Sequence, residues 1–161
     1  MPNALRLHEL LSPATIKLAL AARDRDGVLL ELVNLIPQIE EHPATRDTLL
    51  RALHEREQLH STGIGDGIAL PHARNALVGL VDQPVIVFGR HSIGIPYGAI
   101  DGKPAQLFFL LVAPTVTQHL GILARLGRVL NNPLLRQALL NVTRAERALE
   151  LIKDAEMKLY S

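Results

Sequence analysis

The sequence contains no cysteine among its 161 residues. This absence excludes a disulfide framework, thiolate catalysis and a cysteine-ligated zinc site within the chain. It fits a reducing compartment, and we expect a cytoplasmic protein. A chain of this length can bury roughly 70% of the surface that its unfolded form exposes, so it needs no metal or disulfide to fold. We therefore expect a single domain over residues 1–161.

Aromatic residues, unbalanced charge and long apolar runs are also scarce. Aromatic side chains make up 3% of the chain, which predicts an aliphatic core and disfavours stacking on single-stranded nucleic acid. The 17 Lys and Arg residues nearly balance the 16 Asp and Glu residues and form no dense basic run, so nucleic-acid binding has no compositional support. The longest strongly apolar run, Leu107 to Ala113, is far shorter than the roughly 20 residues of a membrane helix. We expect no membrane insertion.

Apolar periodicity and chain breakers predict alternating strands and helices. The predicted elements are a strand over Thr15–Leu20, a helix capped by Asp26 and running to about Glu41, a helix capped by Thr45 and running to about Glu57, strands over Ile68–Leu70, Val85–Phe88 and Leu107–Val112, a helix over Gln118–Leu130 capped by Thr117, a helix over Leu134–Leu140, and a last helix to about Leu159 opened by a Thr143–Glu146 capping box. Pro37 indicates a kink or an earlier end in the first helix. Continuous apolar strands suit a sheet buried on both faces. The order predicts an α/β fold, a three-layer α/β/α sandwich with a mixed, mostly buried sheet and helices on both faces.

Among the seven histidines, His72 has the most distinctive surroundings. A short apolar strand ends just before it, and Pro71 stiffens the backbone between the two. A loop over Ser61–Gly67 with three glycines lies just upstream. The end of a strand places a side chain at the rim of a sheet, where ligands of α/β folds bind. Glycines let backbone N–H groups approach an anion closely. A tight turn that needs glycine for steric reasons alone explains the same pattern, so the loop by itself leaves both interpretations open.

Two further residues are candidates for the same site. His119 falls in the first turn of its predicted helix, where the positive helix end disfavours the imidazolium form and favours a nearby anion. Arg56 stands at the end of the second helix, from which its guanidinium can bind phosphate with two hydrogen bonds. The alternatives are a surface histidine and a helix C-terminal cation that faces water. No two histidines have the spacing of a helical zinc motif, and we expect neither a metal nor a cofactor.

Together these residues resemble the mannitol/fructose-type enzyme IIA family of the bacterial phosphoenolpyruvate-dependent sugar phosphotransferase system, which includes the nitrogen-regulatory enzyme IIA proteins. The matching stretch is Arg56–His72, and its end, Gly67-Ile-Ala-Leu-Pro-His72, is similar to the phosphorylation-site signature of that family. Further matches are Ala99–Pro104, ahead of an apolar strand, and Gln118–Leu120, which opens a helix. The similarity extends over a core from about residue 5 to 158. The segment from Pro114 to His119 departs from the pattern, because it is shorter than in most relatives and lacks their acidic residues, which bears on partner identity.

The resemblance implies a phosphoryl carrier in which His72 accepts phosphate from a histidine phosphocarrier protein. It also implies that His119 is the partner of His72 in the pocket, that Arg56 supplies charge to the phosphate, and that Ser61 and Thr62 are hydroxyl residues beside the pocket. For a neutral imidazole to attack phosphorus, one ring nitrogen must be bare while the other donates to a backbone carbonyl or a similar acceptor.

Two main alternatives remain for the partners and the biological role, namely transport and regulation. In transport, the phosphate passes in trans to a IIB protein, whose acceptor is commonly a cysteine that this chain lacks. In regulation of the nitrogen type, phosphorylation of His72 switches binding to target proteins, and the freestanding chain favours this alternative. A binding regulator that works without phosphorylation, with a vestigial site, also fits the sequence. A metal-dependent hydrolase using His72 and His119 is disfavoured because no carboxylate lies at ligand spacing.

Overall fold

A five-stranded mixed sheet forms the centre of the structure, a computed structural model that describes residues 5–73 and 80–160. The elements over these residues are α1 (Leu7–Leu10), β1 (Ile16–Lys17), α2 (Arg25–Val33), α3 (Pro43–Leu59), β2 (Gly63–Gly65), β3 (Ile68–Ala69), β4 (Val85–Ile95), β5 (Ala105–Val112), α4 (Val116–Leu130), α5 (Pro133–Asn141) and α6 (Ala145–Tyr160). Short 3-10 helices cover Pro13–Thr15 and Pro37–Ile39. None of the helices in the described part of the chain combines the length and apolar character that crossing a bilayer requires.

The strand order β1-β4-β5-β3-β2 decides which loops meet. The sheet is mixed: β1 runs parallel to β4 and β3 parallel to β5, whereas β4 pairs antiparallel with β5 and β2 antiparallel with β3. Since β3 and β5 are parallel neighbours, the residues that follow them emerge at the same edge of the sheet. Beyond β3 the chain stays beside β5, with a parallel bridge between His72 and Leu111. The end of β5 and the start of α4 therefore lie next to His72.

Helices cover both faces of the sheet. Successive strand side chains point to opposite sides, and in β4 and β5 the residues on both sides are apolar and need to be buried. On one face, alternate residues of β4 and β5 such as Phe88 and Phe109, whose rings stack 4.5 Å apart between centroids, join a core with α1, α4, α5 and α6. On the other face, residues such as Val87 and Phe108 form a second core with α2 and α3. The predicted three-layer α/β/α architecture is confirmed.

Glycine permits close packing on the second face. A Cβ atom built on Gly89 of β4 would lie 2.7 Å from Leu32 Cδ2 and 2.9 Å from Leu20 Cδ1. Both distances are shorter than real Cβ contacts, so a side chain at this position would force the Leu32 and Leu20 side chains to move.

Several helix starts differ from the sequence prediction. Helix α2 is capped by Asp24, whose Oδ1 accepts from the Gly27 N–H at 2.8 Å, and Asp26 lies in the first turn instead. Helix α4 is capped by Thr115, whose Oγ1 accepts from the Gln118 N–H at 3.2 Å, two residues before the predicted cap. In both regions two acidic residues or two threonines stand close together, and local pattern does not choose between them.

The start of α3 has a different physical reason. It begins at Pro43, after a cap residue with no side-chain hydrogen bond, instead of at the predicted Thr45. Proline suits the first helical position because its fixed φ angle is already helical and its missing N–H would have no partner there. Helix α2 ends at Val33 and a 3-10 helix follows from Pro37, in agreement with the early end that proline indicated.

Strand limits also changed. The predicted strand over Thr15–Leu20 is reduced to β1, while β4 extends beyond its predicted end. The glycine loop itself contains β2, which pairs with β3. Glycine-rich and charged segments lack the apolar runs on which the strand predictions depended.

The last helix also starts later than predicted. Helix α6 begins at Ala145, so the predicted cap Thr143 lies ahead of the cap position.

Candidate active site

The backbone beyond β3 presents His72 at the edge of the sheet. The Leu111 N–H donates to the Pro71 carbonyl at 3.1 Å, which holds the segment alongside β5. Nδ1 of His72 lies 2.6 Å from the carbonyl oxygen of Leu70. Because a carbonyl only accepts hydrogen bonds, Nδ1 carries the proton, and in the neutral ring Nε2 is left with its lone pair. The side chain is half-buried, with one ring nitrogen held by the protein.

His119 packs beside His72. Its side chain comes from the first turn of α4, as predicted, and is only 5% exposed. The two ring centroids are 5.4 Å apart and the ring planes are inclined by 52°. The structure therefore brings together two histidines that lie far apart in the sequence.

The surroundings of both rings favour their neutral forms. Burial lowers the pKa of His72, and the nearby charge of Arg56 lowers it further, against opposing contributions from the Leu70 carbonyl and from Glu57. Burial also lowers the pKa of His119, with a smaller contribution from His72. A neutral His119 agrees with the sequence-based expectation. The main physical cause is burial, which penalises the charged ring.

Arg56 lies in the last turn of α3 and has two roles in the structure. Its Nη1 donates to the carbonyl oxygen of His60 at 2.6 Å, which caps the end of the helix. Its positive charge is also close enough to lower the pKa of His72. The structure thus places Arg56 beside the site while its side chain stabilises the turn into the glycine loop.

The hydroxyls of Ser61 and Thr62 are bound within the protein. Ser61 Oγ donates to the carbonyl oxygen of Tyr97 and accepts from the Gly63 N–H at 2.9 Å. Thr62 is 3% exposed, and its Oγ1 donates to Glu57 Oε2. Both side chains build the wall of the glycine loop in this structure.

Two buried residues near the site, Glu57 and Tyr97, were not singled out from the sequence. Glu57 is 4% exposed, and its carboxylate accepts from Thr62 and, at 2.9 Å, from the Tyr97 hydroxyl. A signal for Glu57 was present: it continues the buried stripe of α3 at the spacing set by Leu49 and Leu53. A carboxylate in such a stripe needs buried partners. Tyr97 follows β4 in a turn-rich stretch and had no comparable signal.

Within the described residues, no group of three or more His, Asp or Glu side chains is arranged to hold a metal ion.

Comparison with protein-family models matches residues 9–155 to the family described as "Phosphoenolpyruvate-dependent sugar phosphotransferase system, EIIA 2". The chain belongs to this family. The resemblance identified from the stretch ending at His72 is confirmed, and the protein is an EIIA-type component of phosphotransfer.

Curated relatives of this EIIA protein include members of both groups anticipated above. It is 33% identical over 155 residues to the fructose-specific EIIABC component of the phosphotransferase system of Bacillus subtilis, covering 93% of this chain and 23% of that protein. The chain thus spans less than a quarter of that relative's length. It is 29% identical over 155 residues to a nitrogen regulatory protein of Pseudomonas aeruginosa, covering 94% of this chain and 97% of that protein.

Solved structures agree with the fold of this EIIA protein. The crystal structure of nitrogen regulatory protein IIA-Ntr from Neisseria meningitidis matches with a TM-score of 0.79 and 29% identity, covering 90% of this chain and 97% of that one. The complex of enzyme IIA for mannitol with phosphorylated enzyme IIB for mannitol from Escherichia coli matches with a TM-score of 0.76 and 20% identity, covering 89% and 97%. The second match shows that the fold is shared.

Proposed function

We propose that this EIIA protein carries a phosphoryl group on Nε2 of His72. The observation that carries the proposal is the hydrogen bond from Nδ1 to the Leu70 carbonyl, which leaves Nε2 as the nucleophile. The lowered pKa of His72, caused first by burial, keeps that nitrogen unprotonated near neutral pH. The phosphoryl donor is a phosphohistidine on a histidine phosphocarrier protein.

The transfer exchanges one N–P bond for another. The lone pair on Nε2 of His72 attacks phosphorus, and the N–P bond of the donor breaks with its electron pair returning to the donor imidazole. The Nδ1 proton of His72 stays in its hydrogen bond to Leu70. In the transition state the negative charge spreads over three equatorial oxygens, so catalysis depends on positioning and on electrostatic stabilisation.

His119 and Arg56 serve that transition state in different ways. His119 supplies a neutral imidazole 5.4 Å from the ring of His72, measured between centroids. Arg56 supplies a full positive charge from the end of α3. The phosphate must also leave again, and neutral donors limit how strongly the phosphorylated form is stabilised.

Acceptors in trans complete the cycle, and they define the two candidate roles. The structurally similar mannitol protein forms a complex with phosphorylated IIB, which supports a IIB acceptor in transport. The nitrogen regulatory relative matches over nearly its whole length, which supports a regulatory role. In that role, we propose that target binding depends on phosphorylation of His72. We further propose a cytoplasmic location, where phosphoenolpyruvate is produced.

The decisive experiment is phosphorylation in vitro. The protein is incubated with phosphoenolpyruvate, enzyme I and a phosphocarrier, and the product is tested for an acid-labile, base-stable phosphate. We expect His72→Ala to abolish the label and His119→Ala to slow transfer while the attachment point remains. His42→Ala is the matched control, because His42 is an exposed histidine at the start of α3. A label that survives His72→Ala would overturn the assignment.

A second experiment separates regulation from transport. Partners captured by unphosphorylated wild type, His72→Ala and the charge mimic His72→Glu are compared. If the protein is a regulator, we expect His72→Ala and His72→Glu to capture different partners. If it is a transport component, we expect the label to pass to a IIB protein and the two variants to capture the same other partners.

A further inference from the structure

The carboxylate of Glu57 lies in the protein interior behind the proposed phosphorylation site. Its Oε1 accepts from the Thr62 backbone N–H at 2.8 Å, and its Oε2 accepts from the Thr62 hydroxyl and from the Tyr97 hydroxyl, the latter at 2.9 Å. Three donors thus satisfy a carboxylate that is 4% exposed. Such an arrangement is costly to leave incomplete, so it holds α3, the start of the glycine loop and the segment after β4 together.

A continuous line of hydrogen bonds leads from this carboxylate to His72. Glu57 binds the Thr62 N–H, the carbonyl of Thr62 accepts from the Leu70 N–H at 2.9 Å, and the carbonyl of Leu70 accepts from His72 Nδ1 at 2.6 Å. Each residue in the line orients the next, and hydrogen bonds in such a chain polarise one another. The direction of the Leu70 carbonyl, which decides which nitrogen of His72 is bare, therefore depends on where Thr62 is held.

Tyr97 supports the same segment from the other side. Its hydroxyl donates to Glu57, and its backbone carbonyl accepts from Ser61 Oγ. Burial, together with the nearby Glu57 charge, raises the pKa of Tyr97 far above its usual value, so the hydroxyl stays protonated and keeps donating. The wall behind His72 is therefore fixed at both Ser61 and Thr62.

We propose that Glu57 is a positioning residue for phosphoryl transfer: through Thr62 and Leu70 it holds His72 as the Nδ1–H tautomer with Nε2 bare. This inference rests on the proposed function. Glu57 does not need to touch the phosphate, because its effect passes through the backbone of two other residues.

The electrostatics around His72 give the proposal a second, independent readout. Within the described residues, the charged groups that act on the pKa of His72 are Arg56 and Glu57 from α3, and the titratable ring of His119 from α4 packs beside it. Arg56 lowers the pKa of His72, whereas the negative charge of Glu57 raises it. Removing the charge of Glu57 therefore lowers the pKa of His72 further, and the pH below which protonation stops the reaction moves down.

Two substitutions separate geometry from charge. Glu57→Gln keeps the shape of the side chain, and its amide can accept from the Thr62 N–H while the Thr62 and Tyr97 hydroxyls accept as well as donate. Glu57→Ala removes both the charge and the acceptors. Glu55→Ala is the matched control, since Glu55 is an exposed glutamate on the same helix.

The test combines imidazole ¹⁵N NMR of the unphosphorylated protein with transfer rates measured against pH. For Glu57→Ala we expect mixed tautomers of His72 and a loss in transfer rate on the order of tenfold, since small misplacements of a reacting group are costly. For Glu57→Gln we expect the Nδ1–H tautomer and most of the rate to return, with the acid limb of the pH profile moved to lower pH. Glu55→Ala should match wild type.

The outcomes are distinguishable from failure of the proposed function. If wild type takes no phosphate, the carrier function fails, while the tautomer measurement still tests Glu57. If Glu57→Ala keeps a pure Nδ1–H tautomer and the wild-type transfer rate, the positioning role is overturned. Should Glu57→Ala not fold, Tyr97→Phe and Glu57→Gln decide instead. An unmoved acid limb in Glu57→Gln, with an unchanged tautomer and rate in Tyr97→Phe, would overturn the proposal.

Discussion

Nδ1 of His72 lies 2.6 Å from the carbonyl oxygen of Leu70, two residues earlier in the same chain. This contact is local, and it forms in a segment that continues beside β5 after the end of β3. It makes the two ring nitrogens chemically different: Nδ1 donates to the protein, and Nε2 keeps the lone pair that the proposed function uses.

The first prediction concerns the site of attachment on the ring. Because Nδ1 is held by Leu70, phosphate should be bound at Nε2 of His72. Heteronuclear NMR of the ¹⁵N-labelled phosphoprotein distinguishes the two isomers by their nitrogen shifts and phosphorus couplings. Phosphate found on Nδ1 would show that the ring turns over before transfer and would contradict the geometry.

The second prediction concerns the coupling between the two histidines. His72 contributes to the lowered pKa of His119, while burial is the larger cause. In His72→Gln the pKa of His119 should therefore rise but stay below its ordinary value of about 6.5. A ¹H–¹³C NMR titration of the His119 ring measures it, with His42→Gln as the control. An unchanged or lower pKa in His72→Gln would contradict the prediction.

The third prediction is the pH dependence of stability. The pKa values of His72 and His119 are lower in the native state than in the unfolded chain. As pH falls through about 6.5, the unfolded state binds protons first, so the free energy of unfolding decreases from there down to the native pKa values. Above about pH 7 the two histidines contribute little slope, because the unfolded state then binds few protons on them.

Urea unfolding at pH values from about 5 to about 8 measures this dependence, because that range brackets the ordinary histidine pKa of about 6.5. The double variant His72→Gln/His119→Gln should lose less stability on acidification than wild type, with little difference in slope above about pH 7. Equal slopes on the acid side would show that the two rings do not resist protonation in the native state.

The fourth prediction concerns the buried carboxylate of Glu156, which joins the first helix to the last by hydrogen bonds and pairs with Arg125 of α4. Glu156 on α6 is 1% exposed, and it accepts from the Leu7 N–H at 2.7 Å, from His8 Nδ1 at 2.9 Å and from Arg125 Nε. Removing one partner of a buried pair leaves an uncompensated charge. Glu156→Ala should therefore lower the free energy of unfolding by about 3–5 kcal/mol.

The matched control for that variant is Glu150→Ala. Glu150 lies on the same helix and pairs with Arg147 at 2.9 Å, but its side chain is 62% exposed. Its removal should cost less than about 1 kcal/mol, the typical worth of a surface ion pair. Equal losses for the two variants in urea unfolding would show that the Glu156 network does not stabilise the native state.

Local pattern in the sequence was enough to predict the architecture and the position of the proposed nucleophile. The apolar runs that became β4 and β5 are buried on both faces, which requires a helical layer on each side. The apolar strand and Pro71 before His72 placed that side chain at the edge of a sheet. These features depend on near neighbours along the chain, so periodicity and chain breakers report them directly.

The resemblance to the enzyme IIA family implied that His119 and Arg56 join His72, but the contacts themselves come from the tertiary structure. His119 contacts His72 because β3 and β5 are adjacent and parallel, and no local pattern encodes that strand order. Glu57 accepts from Thr62 and Tyr97 because the fold brings the glycine loop and the segment after β4 next to the end of α3, where a buried carboxylate needs donors. Hydrogen bonds between distant segments depend on distances of a few tenths of an ångström, and only the packed fold sets such distances.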